Sequence, residues 1–274
     1  SFRKERYPKY KANREAPPPD LQQQIRRIEE VVEAFRFPQL GQSGMEADDV
    51  IASLVRWARG KGKRVVIVSA DKDLLQLVGE GVVMYDTMRD RVFGVAETIE
   101  RMGVPPHQVR DLLALTGDSS DNVPGVPSVG PKTAAKFLAD YGDLDGIYAN
   151  VASIKGKVKE KLEAHRDDAY LSRELVTLRD DLDLGADGAD LTVDGGDERA
   201  LRALFTELEF TRLIAQLSPA PLLEGRTSVV TELETLERHA AAIRDAGELA
   251  IASVLSGDDP LRADLVGVAL AWVE

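Results

Sequence analysis

The chain contains no cysteine, which excludes disulfide scaffolds, thiolate-bound zinc and thiol nucleophiles. Histidine occurs three times, too sparsely for a His-rich metal centre. No apolar run approaches the roughly 18–20 residues that a membrane span needs, and the opening SFRKERYPKYKANR is too charged for a signal peptide. Bulk positive charge is lacking too. Asp and Glu number 47 against 35 Lys and Arg, a net charge of −12 with a pI near 4.9. That balance excludes a histone-like coat on nucleic acid, while leaving room for a nucleic-acid enzyme with local basic patches. The composition implies a soluble, cytoplasmic protein that works through carboxylates, Lys/Arg or Ser/Thr. Its 274 residues suit one large domain or two ordinary ones. It opens at Ser1 without a Met and stops at Glu274 just after LVGVALAWV, as a piece of a longer protein would.

Residues 1–14 form a basic arm in which Arg3, Lys4, Arg6, Lys9, Lys11 and Arg14 face a single Glu5, with Phe2, Tyr7 and Tyr10 interleaved. APPPD at 16–20 breaks any helix and caps the next, expected over Leu21–Phe35 from Ile25, Ile28, Val31, Val32 and Phe35 at helical spacing. MEADDVIASLVRWARGKG repeats that spacing with Ile51, Leu54, Val55 and Ala58. RVVIVSA (64–70) reads as a buried parallel strand and GVVMYDT (81–87) as another. Alternating helix and strand define an α/β unit. Beyond Val104 the pattern turns helical, in PHQVRDLLALTG, PKTAAKFLADYG, VKEKLEAHRDDAYLSRELVTLR and DERALRALFTELEFTRLIAQL. SPAPLLEGRT (218–227) reads as a linker, and a strand, helix and strand follow it, opening a new α/β unit.

Three acidic groups sit at element boundaries: Glu46, Asp48 and Asp49 at a helix start, Asp71 and Asp73 past a strand end, and Asp118 and Asp121 in TGDSSDNVPGV. Each alone has an ordinary explanation in helix-dipole complementation or turn chemistry. Together, seven carboxylates in one α/β unit repel one another unless cations intervene. Ligands gather outside the carboxyl ends of strands in such sheets, and oxygen-only donors select Mg²⁺ or Mn²⁺. A pair of such ions is a known device for attack of water on a phosphodiester. The fourth signal is GVPSVGPKTA (125–134), which turns tightly at its glycines and opens a helix at Pro131. This is a helix–hairpin–helix pattern, whose helix-start N–H groups and Lys132 suit a DNA phosphate.

With these signals assembled, residues 1 to about 217 resemble the 5′→3′ exonuclease (flap endonuclease) family of bacterial DNA polymerase I. FRKERYPKYKANR resembles the family's arch segment, and GMEADDVIASL, VSADKDLLQLV and GDSSDNVPGVPSVGPKTA resemble its acidic and DNA-binding blocks. The resemblance implies a PIN-like 5′-nuclease fold of class α/β: an incomplete, mostly parallel sheet with helices over 1–105, arch included. A helical helix–hairpin–helix region would follow over 106–217. After the 218–227 linker, residues 228–274 would begin an RNase H-like 3′→5′ exonuclease domain. That domain would be inactive, since Ala252 and Val254 stand where the family has its Asp-x-Glu metal pair.

For the site, the resemblance implies two Mg²⁺ or Mn²⁺ ions held by Glu46, Asp48, Asp49, Asp71, Asp73, Asp118 and Asp121. Lys11 and Arg14 would approach the scissile phosphate, Tyr10 would stack on an unpaired base, and Arg3 and Arg6 would contact phosphates. Gly125, Val126, Gly130, Lys132 and Thr133 would grip the duplex backbone, with K⁺ in the hairpin turn. The partners would be branched or nicked duplex DNA with a 5′ flap and the polymerase domain of the same parent chain. A monomer in the bacterial cytoplasm is expected, with no membrane contact. The family also carries two acidic strands that would lie upstream of Ser1, so residues 1–274 alone are expected to bind DNA but cut little. A branched-DNA-binding fragment that does not cleave is the alternative reading.

Overall fold

Apolar periodicity and capping residues build most of the elements. The computed structural model describes residues 1–185, 191–193, 195–217, 229–246, 249–256 and 264–272, in two units, Ser1–Ile214 and Ala215–Glu274. In the first unit, helices α1 (Phe2–Arg6), α2 (Pro19–Ala34) and α3 (Ala47–Gly60) precede strand β1 (Val65–Val68). A 3₁₀ turn over Lys72–Leu77 leads to β2 (Val82–Asp86), β3 (Arg91–Phe93) and α4 (Val95–Met102). The helical half is α5 (Pro106–Thr116), α6 (Pro131–Tyr141), α7 (Leu144–Ala149), α8 (Lys157–Ala164), α9 (Arg166–Val176), α10 (Glu198–Glu207) and α11 (Thr211–Ile214).

The sheet order is β1-β2-β3. β1 and β2 are parallel, from Val65↔Val82 to Val68↔Tyr85; β2 and β3 are antiparallel, with Met84 opposite Phe93. The expected burial of β1 is corrected. Ile67 is 5% exposed, but Val66 and Val68 are 60% and 65% exposed, so β1 alternates as a strand covered on one face does. Strand β3 went unread in the sequence because it is short and begins with a charged Arg91. Its pairing makes the three-stranded sheet half parallel and half antiparallel rather than mostly parallel.

Helix α5 is the hub of the helical half and packs on α9, α6 and the 3₁₀ turn. Val109, Leu112, Leu113, Ala114 and Leu115 are each at most 3% exposed, so this helix is apolar nearly all round and must be enclosed. The helix expected from Val158 through Arg179 is broken at His165. There the Nδ1 of His165 lies 2.8 Å from Asp168 Oδ2, and Asp167 and Asp168 favour a new helix N-terminus.

The second unit holds α12 (Leu233–Ala246) and an antiparallel pair, β4 (Ala250–Leu255) and β5 (Leu265–Ala271). Ala252 pairs with Ala269 and Val254 with Gly267. The strand expected before α12 does not form over 229–231, where Val229 is 91% exposed. The expected linker 218–227 lies outside the described residues. Among the described residues, no helix is long and apolar enough to cross a membrane.

Candidate functional site

The basic arm is folded onto the unit. Lys11 N–H donates to Asp121 O (2.9 Å), Asn122 Nδ2 to Lys9 O (2.7 Å) and Asn13 Nδ2 to Ser119 O (2.8 Å). These bonds lay residues 9–14 along the Asp118–Val123 loop, with Lys11 held at a φ of +54°. Lys11 Nζ consequently bridges two acidic segments, 2.7 Å from Glu46 Oε2 and 3.5 Å from Asp121 Oδ2. Arg14 pairs with Asp121 from the other side.

Two residues of the arm depart from expectation. Arg3 was expected on a phosphate but is 2% exposed. Its Nη1 and Nη2 donate to Asp49 Oδ2 and Oδ1, both at 2.7 Å. Nε donates to Leu175 O (2.7 Å) and Nη2 also to Thr177 O (2.9 Å). The guanidinium ties α1, α3 and the end of α9 together and faces no solvent. Tyr10 was expected to stack on a base but is 4% exposed. Its hydroxyl donates toward Glu46 Oε2 (3.1 Å) and Asp121 Oδ2 (3.2 Å). Burial first, then the Glu46 and Asp121 charges, push its pKa far above the ordinary tyrosine value. Arg6 is half-exposed and pairs with Glu174 at 2.9 Å.

Of the carboxylates, Asp49 is turned inward and is 0% exposed. Besides Arg3, it accepts Arg179 N–H (2.9 Å) and Glu46 N–H (3.1 Å), which leaves it ill placed to ligate a metal directly. Burial alone would raise its pKa; the Arg3 bonds and charge and the two backbone donors bring it below the ordinary value. Glu46 is also lowered: burial opposes, while Lys11, Arg3 and Ser1 prevail. Asp48 is raised by burial and by the Asp71 charge, which places the first two acidic groups within electrostatic reach. No hydrogen-bond donor meets the Asp48 carboxylate among the described residues.

Asp73 and Asp118 converge on Lys72, whose Nζ contacts Asp118 Oδ2 and lies 3.3 Å from Asp73 Oδ1. The pair is pushed apart in acidity. Asp118 is held at about 2, because the Lys72 bond, the Ser120 bonds and the Lys72 charge outweigh burial. Asp73 is pushed up to about 6 by burial, with the Asp71 and Asp118 charges adding to it against Lys72. Its Oδ1 is buried without a hydrogen-bond donor; the 3.3 Å approach of Lys72 is a charge contact that lacks hydrogen-bond alignment. Asp121 N–H reaches Asp118 Oδ1 at 3.3 Å and joins this pair to the Glu46–Lys11–Asp121 group. Among the described residues, no three His, Asp or Glu side chains stand ready around one point; Lys11, Arg14 and Lys72 pair with the carboxylates instead.

The hairpin forms as expected. Gly125 takes φ +61°, and a Cβ there would lie 2.3 Å from Gly117 N, a contact only glycine avoids. Gly125 N–H donates to Ser172 Oγ (2.9 Å) and Val126 N–H to Leu115 O (2.8 Å). Both donors are spent inside the fold, so these two residues shape the hairpin rather than touch a phosphate. Gly130 and Lys132 are exposed and Thr133 half-buried, where α6 begins with Pro131 at its first position. Lys72, Ser120, Ser172 and Arg179 escaped the sequence reading. The D-K-D spelling around Lys72 was the available signal. Ser172 and Arg179 reach partners 47 and 130 residues away, and no local pattern reveals them.

Comparison with known proteins agrees with this architecture. Residues 1–103 match the family model described as 5′-3′ exonuclease, N-terminal resolvase-like domain, and residues 104–199 that described as 5′-3′ exonuclease, C-terminal SAM fold. DNA polymerase I of Rhizobium leguminosarum is 46% identical over 221 residues, covering 80% of this chain and 22% of that protein. The thermostable DNA polymerase I of Thermus aquaticus is 37% identical over 271 residues, covering 99% and 31%. The chain therefore spans under a third of the length of these relatives. A structure of T5 5′-exonuclease with bound zinc ions superposes with a TM-score of 0.56 at 23% identity, over 79% of each chain, and shares the fold. With residues 1–199 matched in order to the family's two domain models and polymerase relatives aligned along most of its length, the chain belongs to the 5′-3′ exonuclease family of DNA polymerase I.

Proposed function

We propose that this chain is the structure-specific 5′-nuclease part of a bacterial DNA polymerase I, hydrolysing phosphodiesters at 5′ flaps in primer removal and repair. The observation that carries the reading is the linking of carboxylates from three separate segments through basic side chains, Glu46 and Asp121 by Lys11 with Arg14, and Asp73 and Asp118 by Lys72. The donors suit divalent cations: all are oxygens, and Asp73 Oδ1 is buried without a donor. Asp48, Asp71, Asp73, Asp118, Asp121 and Glu46 would hold two Mg²⁺ or Mn²⁺ ions. Such ions supply Lewis acidity toward phosphoryl oxygens and lower the pKa of water.

The chain's own residues do the rest. Asp49, fixed by Arg3, sets the start of α3 and so the direction of Glu46 and Asp48. Lys11 and Arg14 place positive charge where a phosphate approaches the carboxylates and where negative charge grows during reaction. Lys132, Gly130 and Thr133 hold the duplex backbone without reading bases, with K⁺ in the turn, and Arg6 adds a phosphate contact. The working division is 1–105 for the catalytic part, 106–217 for the DNA grip, and 228–274 for the start of an inactive 3′→5′ exonuclease-like domain. The parent acts as a cytoplasmic monomer with its polymerase domain on branched DNA.

The test is Asp118→Ala in the parent polymerase on a 5′-flap substrate with Mg²⁺. Cutting is expected to vanish while flap binding stays within about tenfold, roughly 1.4 kcal/mol. Wild-type turnover by the variant would sink the metal assignment.

A further inference from the structure

Two ammonium groups each straddle a pair of carboxylates in this site, and they are held differently. Lys11 is anchored by its backbone N–H on Asp121 O and by a left-handed backbone. Lys72 is not pinned in that way. Its side chain is 39% exposed while its partners Asp118 and Asp73 are 7% and 19% exposed. Asp118 is fixed by Ser120 N–H at 2.7 Å and by Ser120 Oγ, and Asp73 follows the Asx turn in which its N–H donates to Asp71 Oδ1 (2.9 Å). The Asp118 carboxylate and the Asp73 backbone are held by these bonds, and the cation between the two carboxylates has a flexible four-carbon stem that reaches solvent.

We propose that Lys72 is the resident counter-ion of the Asp73–Asp118 pair and yields that place to a divalent cation. This rests on the metal reading above. The ammonium and the incoming ion need the same oxygens, Asp73 Oδ1 and Asp118 Oδ2, and like charges a few ångströms apart exclude one another. Their occupancies are therefore linked and antagonistic. Without the divalent ion, Lys72 offsets repulsion between Asp73 and Asp118. With it, the lysine swings toward water and its charge becomes available to a phosphate arriving at the same rim. Lys72 is a positioning residue in the first state, and the exchange sets how much divalent cation the site requires.

The experiment is Mn²⁺ binding to the 274-residue chain, followed by the electron paramagnetic resonance signal of free Mn²⁺, beside thermal unfolding in EDTA. Lys72→Met is expected to bind Mn²⁺ about tenfold more tightly than the parent sequence, because the competing charge is gone. Lys72→Gln, which keeps a polar end for Asp118 should the Met variant fold poorly, is expected to gain similarly. Lys72→Arg keeps the charge and gains nothing. In EDTA the neutral variants melt lower, and Mn²⁺ restores them to the parent's midpoint. Adding Asp118→Asn to Lys72→Met is expected to remove the gain. Unchanged Mn²⁺ affinity in both neutral variants, with midpoints lowered equally in EDTA and Mn²⁺, would mean an ordinary ion pair and would overturn the exchange alone. Failure of parent and neutral variants alike to bind Mn²⁺ would overturn the metal reading and the exchange together.

Discussion

Replacing Arg3 by Met tests the buried link between α1, α3 and α9. The substitution keeps most of the side-chain volume and removes the Arg3 donors to Asp49, Leu175 O and Thr177 O. Asp49 then keeps only the N–H groups of Arg179 and Glu46. Removing one partner of a buried ion pair costs about 3–5 kcal/mol, because the other charge stays behind in a poorly hydrated place. The two orphaned carbonyls argue for the upper half of that range. Urea unfolding followed by Trp57, which lies on α3 within the first unit, measures this in a Trp272→Phe background. The sign of the pH effect is set by Asp49. Its folded-state pKa is depressed, so its contribution is present above the unfolded value near 3.9 and disappears as pH falls through the folded value. In Arg3→Met burial raises the carboxyl, which takes up a proton before the parent does, and the gap between the two proteins narrows toward pH 4. Arg3→Met with Asp49→Met is expected to recover part of the loss, since no charge is then stranded. A loss under about 0.5 kcal/mol, as at ordinary surface positions, would refute the assignment of Arg3 to the interior.

Two further outcomes follow from the same geometry. Gly125→Ala is expected to cost well over the usual ~1 kcal/mol of a strained glycine replacement, since its Cβ would meet Gly117 N at 2.3 Å. Gly130→Ala has open space and ordinary φ, so thermal unfolding should register only the first; equal losses would contradict the hairpin packing. Asp73, pushed up to about 6, favours its protonated form in the fold, so stability in EDTA should decline between about pH 4 and pH 6 and level off above. Asp73→Asn should flatten that decline, and an unchanged slope of melting temperature against pH would show that another group is responsible.

Much of the architecture could be read in the chain itself, because period and punctuation agree. Pro106 and Pro131 open helices where expected, and Ile51, Leu54, Val55 and Ala58 carry α3 onto the sheet. The acidic residues could be singled out because charge at element boundaries is a local signal, whereas Lys11 stands out only through the family resemblance. What stayed hidden depends on long-range packing. Nothing in FRKER distinguishes Arg3, which is enclosed, from Arg6, which is half-exposed; only the arrival of Asp49, Leu175 and Thr177 decides it. Tyr10 looked like a stacking platform and proves to be a strut between Glu46 and Asp121. In β1, the apolar spelling suggests two covered faces, whereas its Val66 and Val68 face is open.

Helix α9 touches both halves of the proposed machinery. At Ser172 it receives the Gly125 N–H of the hairpin; about one turn later the Leu175 carbonyl, and just past the helix end that of Thr177, receive Arg3, which grips Asp49. An α-helix is stiff along its axis, and each added residue turns its face by about 100°. Under the proposed function, the interval between the hairpin and Asp49 would be set by this rigid spacer. A loop in its place would let the two ends drift independently, and the position of a cut would wander with it. In the proposed function, the hairpin and the Arg3–Asp49 link would thus be spaced by about one turn of this helix, from Ser172 to Leu175.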